Sequence, residues 1–452
     1  EKLSQHNSLD TKTEGTAKKN VINIIKDNNY GLTSNESYQL LVDEHAITIN
    51  ASTDEGAFRA VQTLRQLIPI SANENGDHII STGKILDEPT YGFRGSMLDV
   101  ARHFFPKEDL MKYIDAMAYY KMNVLHLHLS DDQGWRIEIK SWPDLTAIGG
   151  HTQVGGEAGG FYTQEDYTEI VNYAAKHHIT IIPEIDMPGH TYAASVAYPQ
   201  LNGAKKSITV LDNPTPDRRT LLYTGIDVGF STFDARKEST YEFVDDVVRE
   251  ISALTPGPYF HMGGDESLVT SDEDYDYFVE RVAKIVRKYD KRMIGWDEVA
   301  RADEDPNSIV QFWKIEENIL MAKEKGMKII MSPAKKAYLD MQYDSLSKFG
   351  LHWAAYVPVD SSYMWTPEKY VNGIVKSDII GVEAPLWSET ISKIDELEYL
   401  AFPRVIGIAE VGWSTEENRD WENYRVRLAN QTPYLNQMNI NYYPSKLIDW
   451  KK

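Results

Sequence analysis

The chain has 452 residues, 42% of them apolar, enough for two or three domains or for one large barrel with an appendage. Its 47 Lys and Arg against 68 Asp and Glu give a net charge of −21, which leaves no cationic surplus for phosphates and argues against nucleic acid. With no cysteine, disulfides, thiolate metal sites and cysteine nucleophiles are excluded, and no apolar run approaches the ~18 residues of a membrane span.

Residues 1–20 are polar and read as a loose N-terminal tail. Glu1 in place of a starting Met leaves room for a removed leader. The composition suits a soluble protein, cytoplasmic or secreted, with a secreted bacterial protein favoured. Residues 21–88 read as a small α+β domain. Tyr38–Val42 and Ala46–Asn50 flank Asp43-Glu44-His45 as a hairpin, and Ser52 with Glu55 has capping-box spacing. The helix that follows carries Phe58, Val61, Leu64 and Ile68 on one face and stops at Pro69.

From 89 to 435 the pattern changes to short apolar runs alternating with amphipathic helices, the mark of βα units around a parallel sheet. Pro106 opens a helix with Leu110, Tyr113, Ile114, Met117 and Ala118 in helical spacing. A second, from Thr163, repeats this with Tyr167, Ile170, Val171, Ala174 and Ala175; a third carries Phe243, Val247, Ile251 and Leu254. The strand candidates are Phe93–Asp99, Val124–Ser130, Thr180–Asp186, Tyr259–Asp265, Arg292–Asp297, Ile309–Trp313, Lys328–Ser332 and Ile379–Trp387. Eight such units predict an α/β chain with a closed (β/α)8 TIM barrel behind the small domain, followed by a polar C-terminal tail, 436–452.

A barrel of this kind works at the C-terminal ends of its strands. Those ends carry Asp131-Asp132, Glu184 to His190, Asp265-Glu266, Trp296-Asp297-Glu298, Trp313, Tyr338 to Asp340, and Trp387 to Glu389. Arg94 stands near the start of the first strand. Carboxylates among indoles suit a polyhydroxylated ligand, and carboxylate chemistry on such a ligand is usually glycosidic cleavage. Within Tyr259–Glu266 the pair Gly263-Gly264 lets the chain bend, so that Asp265 and Glu266 share one pocket instead of facing opposite ways. Carboxylates so close raise one another's pKa.

Five segments in order, F-R-G-S-M-L-D-V-A-R-H-F-F, H-L-H-L-S-D-D-Q-G-W-R, P-E-I-D-M-P-G-H, Y-F-H-M-G-G-D-E and A-P-L-W-S-E, resemble glycoside hydrolase family 20, the β-N-acetylhexosaminidases, over roughly residues 20–430. The resemblance implies exo-acting, retaining removal of terminal β-linked N-acetylglucosamine or N-acetylgalactosamine, with the substrate's acetamido oxygen as nucleophile and an oxazolinium intermediate. It implies Glu266 as acid then base, and Asp265 as the group that orients the acetamido N–H. Tyr338 would bind the acetamido oxygen, and Trp296, Trp313 and Trp387 would enclose the methyl and sugar face. Arg94, Asp340 and Glu389 would take ring hydroxyls, Asp131 and His190 would form a relay behind the acid, and Trp353 would lie under the leaving-group sugar. Asp99, Arg102 and His103 fall in a matching segment and are expected behind the groups that touch substrate.

Plainer alternatives stand beside these: core packing for the three indoles, a loop or core role for His190, a buried structural ion pair for Arg94. Asp131 and Asp132 are equal on chemistry, and only the resemblance selects the first. A metal-dependent barrel hydrolase is the rival reading, since His126 and His128 on one strand face the same side; an amino-sugar-binding protein without activity is another. A chitinase-like barrel would need a D-x-x-D-x-D-x-E run, which is absent. No metal or organic cofactor is implied, and the sequence leaves natural substrate, C4 preference and oligomeric state open.

Overall fold

The computed structural model describes residues 21–27, 29–204, 217–303 and 305–451. The polar stretch 1–20, read as a tail, lies outside them, as does the middle of the loop 201–234. Two compact units result, Glu1–Pro89 and Thr90–Lys452. In the first, four strands run in the order Val21–Lys26, Ala46–Ala51, Tyr38–Val42, Gly83–Asp87. The leading pair is parallel and the others antiparallel. The hairpin turns on Asp43, whose Oδ1 accepts the N–H groups of His45 and Ala46 at 2.7 and 2.9 Å.

The helix Asp54–Leu67 starts one residue later than Ser52 predicts: Thr53 is the N-cap, its Oγ1 accepting from Gly56 N at 3.0 Å. Ser52 is held outside because its N–H donates to the Tyr30 hydroxyl at 2.9 Å. The packed face is turned as well. Ala60 and Leu64 are fully buried with Arg59, which pairs with Glu36 and Glu55, while Phe58 and Val61 are half-buried.

In the second unit eight parallel strands close into a barrel: Phe93–Asp99, Val124–His128, Thr180–Glu184, Tyr259–His261, Arg292–Trp296, Ile309–Phe312, Lys328–Met331 and Ile379–Leu386. The helices pack largely as their spacing predicts, except that Ala175, one residue from the helix end, is exposed and Leu254 is only half-buried. Pro106 precedes Lys107–Tyr119, whose Leu110, Tyr113, Ile114, Met117 and Ala118 are buried. Thr163 caps Gln164–Lys176 through a capping box with Asp166.

The period of two along each strand builds the interior in layers. Phe93, Val124, Ile182, Ile294, Ile309 and Ile330 form an apolar cluster. Two residues further along come His126, Glu184, Trp296 and Gln311, and beyond them His128 and Trp313, all buried. Gly95 leaves space for Glu383, whose Oε2 would lie 2.7 Å from a Cβ there. The barrel is thus apolar near the strand starts and polar toward their ends.

Residues 438–451 contain no helix or strand, but they are not loose: Ile440, Tyr443 and Ile448 are buried, and Tyr443 stacks on Tyr343 at 4.1 Å. Among the described residues no helix is long and apolar enough to cross a membrane.

Candidate active site

The regular part of the fourth barrel strand ends at His261, because soon after it the chain leaves the extended region: Gly263, Gly264 and Glu266 have φ of +69°, +100° and +46°. Gly263 is obligatory, since a Cβ there would lie 1.8 Å from Asp186 Oδ1. The bend is pinned on three sides. Gly264 N–H donates to Asp186 Oδ1 (2.9 Å), Tyr275 O–H donates to Gly264 O (2.6 Å), and Trp296 N–H donates to Gly263 O (2.9 Å). Asp265 and Glu266 therefore emerge on one side of the chain, Asp265 only 7% exposed and Glu266 half-buried.

Between them stands His190, itself at φ +55° and buried. Its Nε2 lies 3.8 Å from Asp265 Oδ2 and 3.7 Å from Glu266 Oε2, and its Nδ1 lies 3.1 Å from Asp131 Oδ1. Asp131 also meets His128 Nε2 and Arg102 Nη2, each at 2.8 Å. Burial alone would lower the His190 pKa, but the carboxylates of Asp131, Asp186 and Asp265 outweigh it and raise it well above the usual value. Burial would raise Asp131, yet Arg102 and His190 prevail and hold it far below the carboxylate range. Asp132 differs: burial and the Asp131 charge push it up to about 6, and its Oδ1 accepts from Ser231 O–H and Tyr192 N–H. The first aspartate is thus the one hydrogen-bonded to His190, whereas the second is tied to Ser231 and Tyr192.

Asp265 is raised well above 3.8, by burial first, then by Asp186, with Glu266 a smaller contributor. Its strong carboxylate neighbour is therefore Asp186, not the adjacent Glu266 that the sequence suggests. Asp186 is in turn pushed up to about 7, chiefly by burial.

Four aromatic rings face each other beside this pair. Trp296 and Trp387 have centroids 5.6 Å apart, Tyr338 and Trp387 6.3 Å, and Trp313 stacks on Tyr338 at 6.4 Å. Two indole N–H groups are tied back, Trp296 to Glu184 Oε1 (2.9 Å) and Trp313 to Glu298 Oε2 (3.0 Å). Trp353, half exposed, stands at the rim 5.9 Å from Trp313. Asp340 is buried, and neither carboxylate oxygen has a well-aligned hydrogen-bond donor among the described residues. Burial, followed by the charge of Glu389, raises its pKa well above the ordinary value. A carboxylate so placed accepts ligand hydroxyls.

Arg94 does not reach this site. Its guanidinium donates to Tyr91 O and Lys121 O and lies over the Trp413 ring, where the first strand begins. The cation at the site is Arg102, three residues past the end of that strand, packed 4.9 Å from the Trp387 ring and within the field of Glu389. Strand direction carried the missed signal, since Arg94 opens the strand and Arg102 follows its C-terminal end. Glu184, which ends the third strand, and Asp186, two residues beyond it, stand among the strand-end residues of the sequence reading, which assigns neither of them a role.

His126 and His128 are fully buried inside the barrel. The His126 nitrogens lie 3.0 Å from Glu383 Oε1 and 3.0 Å from Glu184 Oε2; those of His128 lie 2.6 Å from Glu184 Oε2 and 2.8 Å from Asp131 Oδ2. Despite burial, these acids raise His126 to about 9 and His128 well above 6.5. The sets His126–Glu184–His261 and His128–Glu184–Asp186 bring potential ligand atoms within 4.8 Å, with Glu184 shared between the imidazoles of His126, His128 and His261.

Residues 91–416 match the catalytic domain of glycosyl hydrolase family 20, and residues 1–88 match domain 2 of that family. The chain is 39% identical over 418 residues to a β-N-acetylhexosaminidase of Cellulomonas fimi, covering 92% of this chain and 82% of the relative. It superposes on the GH20 β-N-acetylhexosaminidase of Streptomyces coelicolor A3(2) with a TM-score of 0.89 at 44% identity, covering 96% of this chain and 87% of that one. The Streptomyces plicatus N-acetyl-β-hexosaminidase in complex with Thio-NAglucal gives a TM-score of 0.88 at 45% identity, with 95% and 86% covered.

Proposed function

The chain belongs to glycosyl hydrolase family 20, and on that premise we propose that it removes terminal, non-reducing β-linked N-acetylglucosamine or N-acetylgalactosamine by substrate-assisted catalysis. The observation that carries the reading is the bend at Gly263-Gly264, which delivers a deeply buried acid and a half-buried acid side by side against a ring of indoles. Because the acetamido oxygen takes the part of the attacking carboxylate, the two acids need not stand on opposite faces of the sugar.

Glu266 gives its proton to the glycosidic oxygen as that bond breaks and the acetamido oxygen closes on the anomeric carbon. It then takes a proton from the water that opens the oxazolinium, which restores the acid and retains the β-configuration. Asp265 accepts the acetamido N–H and faces the positive charge that develops on it. Asp265 acts as acceptor in its ionised form, which the cationic His190 beside it favours. Trp296, Trp313, Trp387 and Tyr338 enclose the acetamido group and exclude water, while Asp340, Glu389 and Arg102 take the ring hydroxyls. His190, held by Asp131, places a cationic N–H near both acids.

Purified protein should hydrolyse chromogenic β-N-acetylglucosaminide and leave the matching β-glucoside, which has no acetamido group, untouched. Failure with both the gluco and galacto acetamido substrates, or comparable rates on the plain glucoside, would end this reading.

A further inference from the structure

An acid that protonates a glycosidic oxygen must also lie against whatever that oxygen carries, so the surface flanking Glu266 is where the leaving group rests. That surface is apolar here. Leu268 N–H donates back to the Glu266 backbone carbonyl at 2.7 Å, so the chain turns tightly just after the acid, with Leu268 75% and Val269 50% exposed. The segment 228–230 closes against the same spot: a Cβ on Gly229 would lie 2.6 Å from Leu268 Cδ1 and 3.2 Å from Glu266 O. Val228 beside it is 39% exposed, and Phe230 packs against Tyr192 at 5.7 Å, two residues from His190. Exposed apolar side chains contiguous with a catalytic acid mark a binding surface.

We propose that Val228, Phe230, Leu268 and Val269 form an aglycone platform, and that it favours substrates whose leaving group presents an alkyl or aryl chain. The inference rests on the hexosaminidase reading and extends it to the substrate class. Leucine and valine offer no hydrogen bonds to a second sugar's hydroxyls, whereas a methylene they bury fully is worth about a fourfold gain in binding.

The test is kcat/KM for methyl, butyl and hexyl β-N-acetylglucosaminide, whose alkoxide leaving groups are chemically alike. Hexyl should exceed methyl by about tenfold or more, mostly through KM, since partial coverage of five added methylenes suffices. In Leu268→Asn/Val269→Ser the hexyl-to-methyl ratio should fall toward one, whereas general damage to the site would lower both rates and keep the ratio. A flat wild-type series, or a ratio the double variant preserves, overturns the platform while leaving the hexosaminidase reading intact. Absence of turnover with every glycoside overturns both.

Discussion

Arg102 Nη2 and Asp131 Oδ2 lie 2.8 Å apart in a pocket that the Trp387 ring covers, with the Arg102 Nε buried and without a hydrogen-bond partner among the described residues. Its Nη1 lies a longer 3.5 Å from Asp99 Oδ2, so the cation is held against two buried carboxylates where charge-assisted hydrogen bonds are strong. Arg94, by contrast, spends its donors on the backbone of Tyr91 and Lys121. Arg102→Met should therefore lower kcat/KM by about 10²-fold, the size of one or two charge-assisted hydrogen bonds. Arg94→Met should lower the melting temperature, because two buried carbonyls lose their donors at ~1–3 kcal/mol each, and should leave KM in place. Steady-state kinetics and thermal melts of both variants check this, and the opposite pattern would reinstate Arg94 at the site.

The barrel was legible because each strand and helix carries its own period, and closure follows from the count. The small domain's helix was placed correctly but capped one residue early, since Tyr30 claims the Ser52 amide from outside the local sequence. The bend before Asp265 could be read from Gly263-Gly264. What could not be read was its neighbour: Asp186 comes from another strand, and its approach to Asp265 exists only once the barrel closes. Arg94 and Arg102 both lie in the segment that carries the family resemblance, and strand polarity, not residue type, tells them apart. Residues 436–452 look polar as a string, but Ile440, Tyr443 and Ile448 are spaced to pack while their neighbours face solvent.

Asp265 and Glu266 differ in what they touch, so their variants should fail differently. Glu266→Gln removes the proton donor and should cost ~10²–10⁴-fold on alkyl glycosides, yet far less on a 2,4-dinitrophenyl glycoside that departs unaided. Asp265→Asn should cost similar factors on both, because acetamide orientation precedes departure of any leaving group. The measurement is kcat across a series of leaving-group pKa values. A steep dependence for Asp265→Asn and a shallow one for Glu266→Gln would reverse the assignments.

The Asp186–Asp265 pair makes stability depend on pH. Asp186 titrates near 7 in the folded protein against about 3.9 when unfolded, so folding favours its protonated form. That contribution is whole below the unfolded value and is lost as pH rises through 7. Asp186→Asn cannot ionise, so its melting temperature relative to wild type should climb between pH 5 and pH 8. The gain should reach a few degrees, at roughly 2 °C per kcal/mol for a chain of this size. Parallel melting curves across that range would show that Asp186 is not protonated in the folded protein.

Two glycines with similar backbone angles separate strain from sterics. Gly263 (φ +69°) would put a Cβ 1.8 Å from Asp186 Oδ1, whereas Gly326 (φ +80°) would meet only Pro306 Cβ, at 3.9 Å. Gly326→Ala should cost only the left-handed conformation, ~1 kcal/mol, with activity retained. Gly263→Ala bears the same strain and must also expel the Asp186 carboxyl, which lets go of the Gly264 amide and tilts Asp265 away from the acetamido group. We expect at least a ~10²-fold loss of kcat beyond any change in melting temperature, since displacement of about 1 Å at an orienting group is costly. Near-wild-type kcat in folded Gly263→Ala would mean that the bend survives without glycine and that Asp265 is positioned by something other than Asp186.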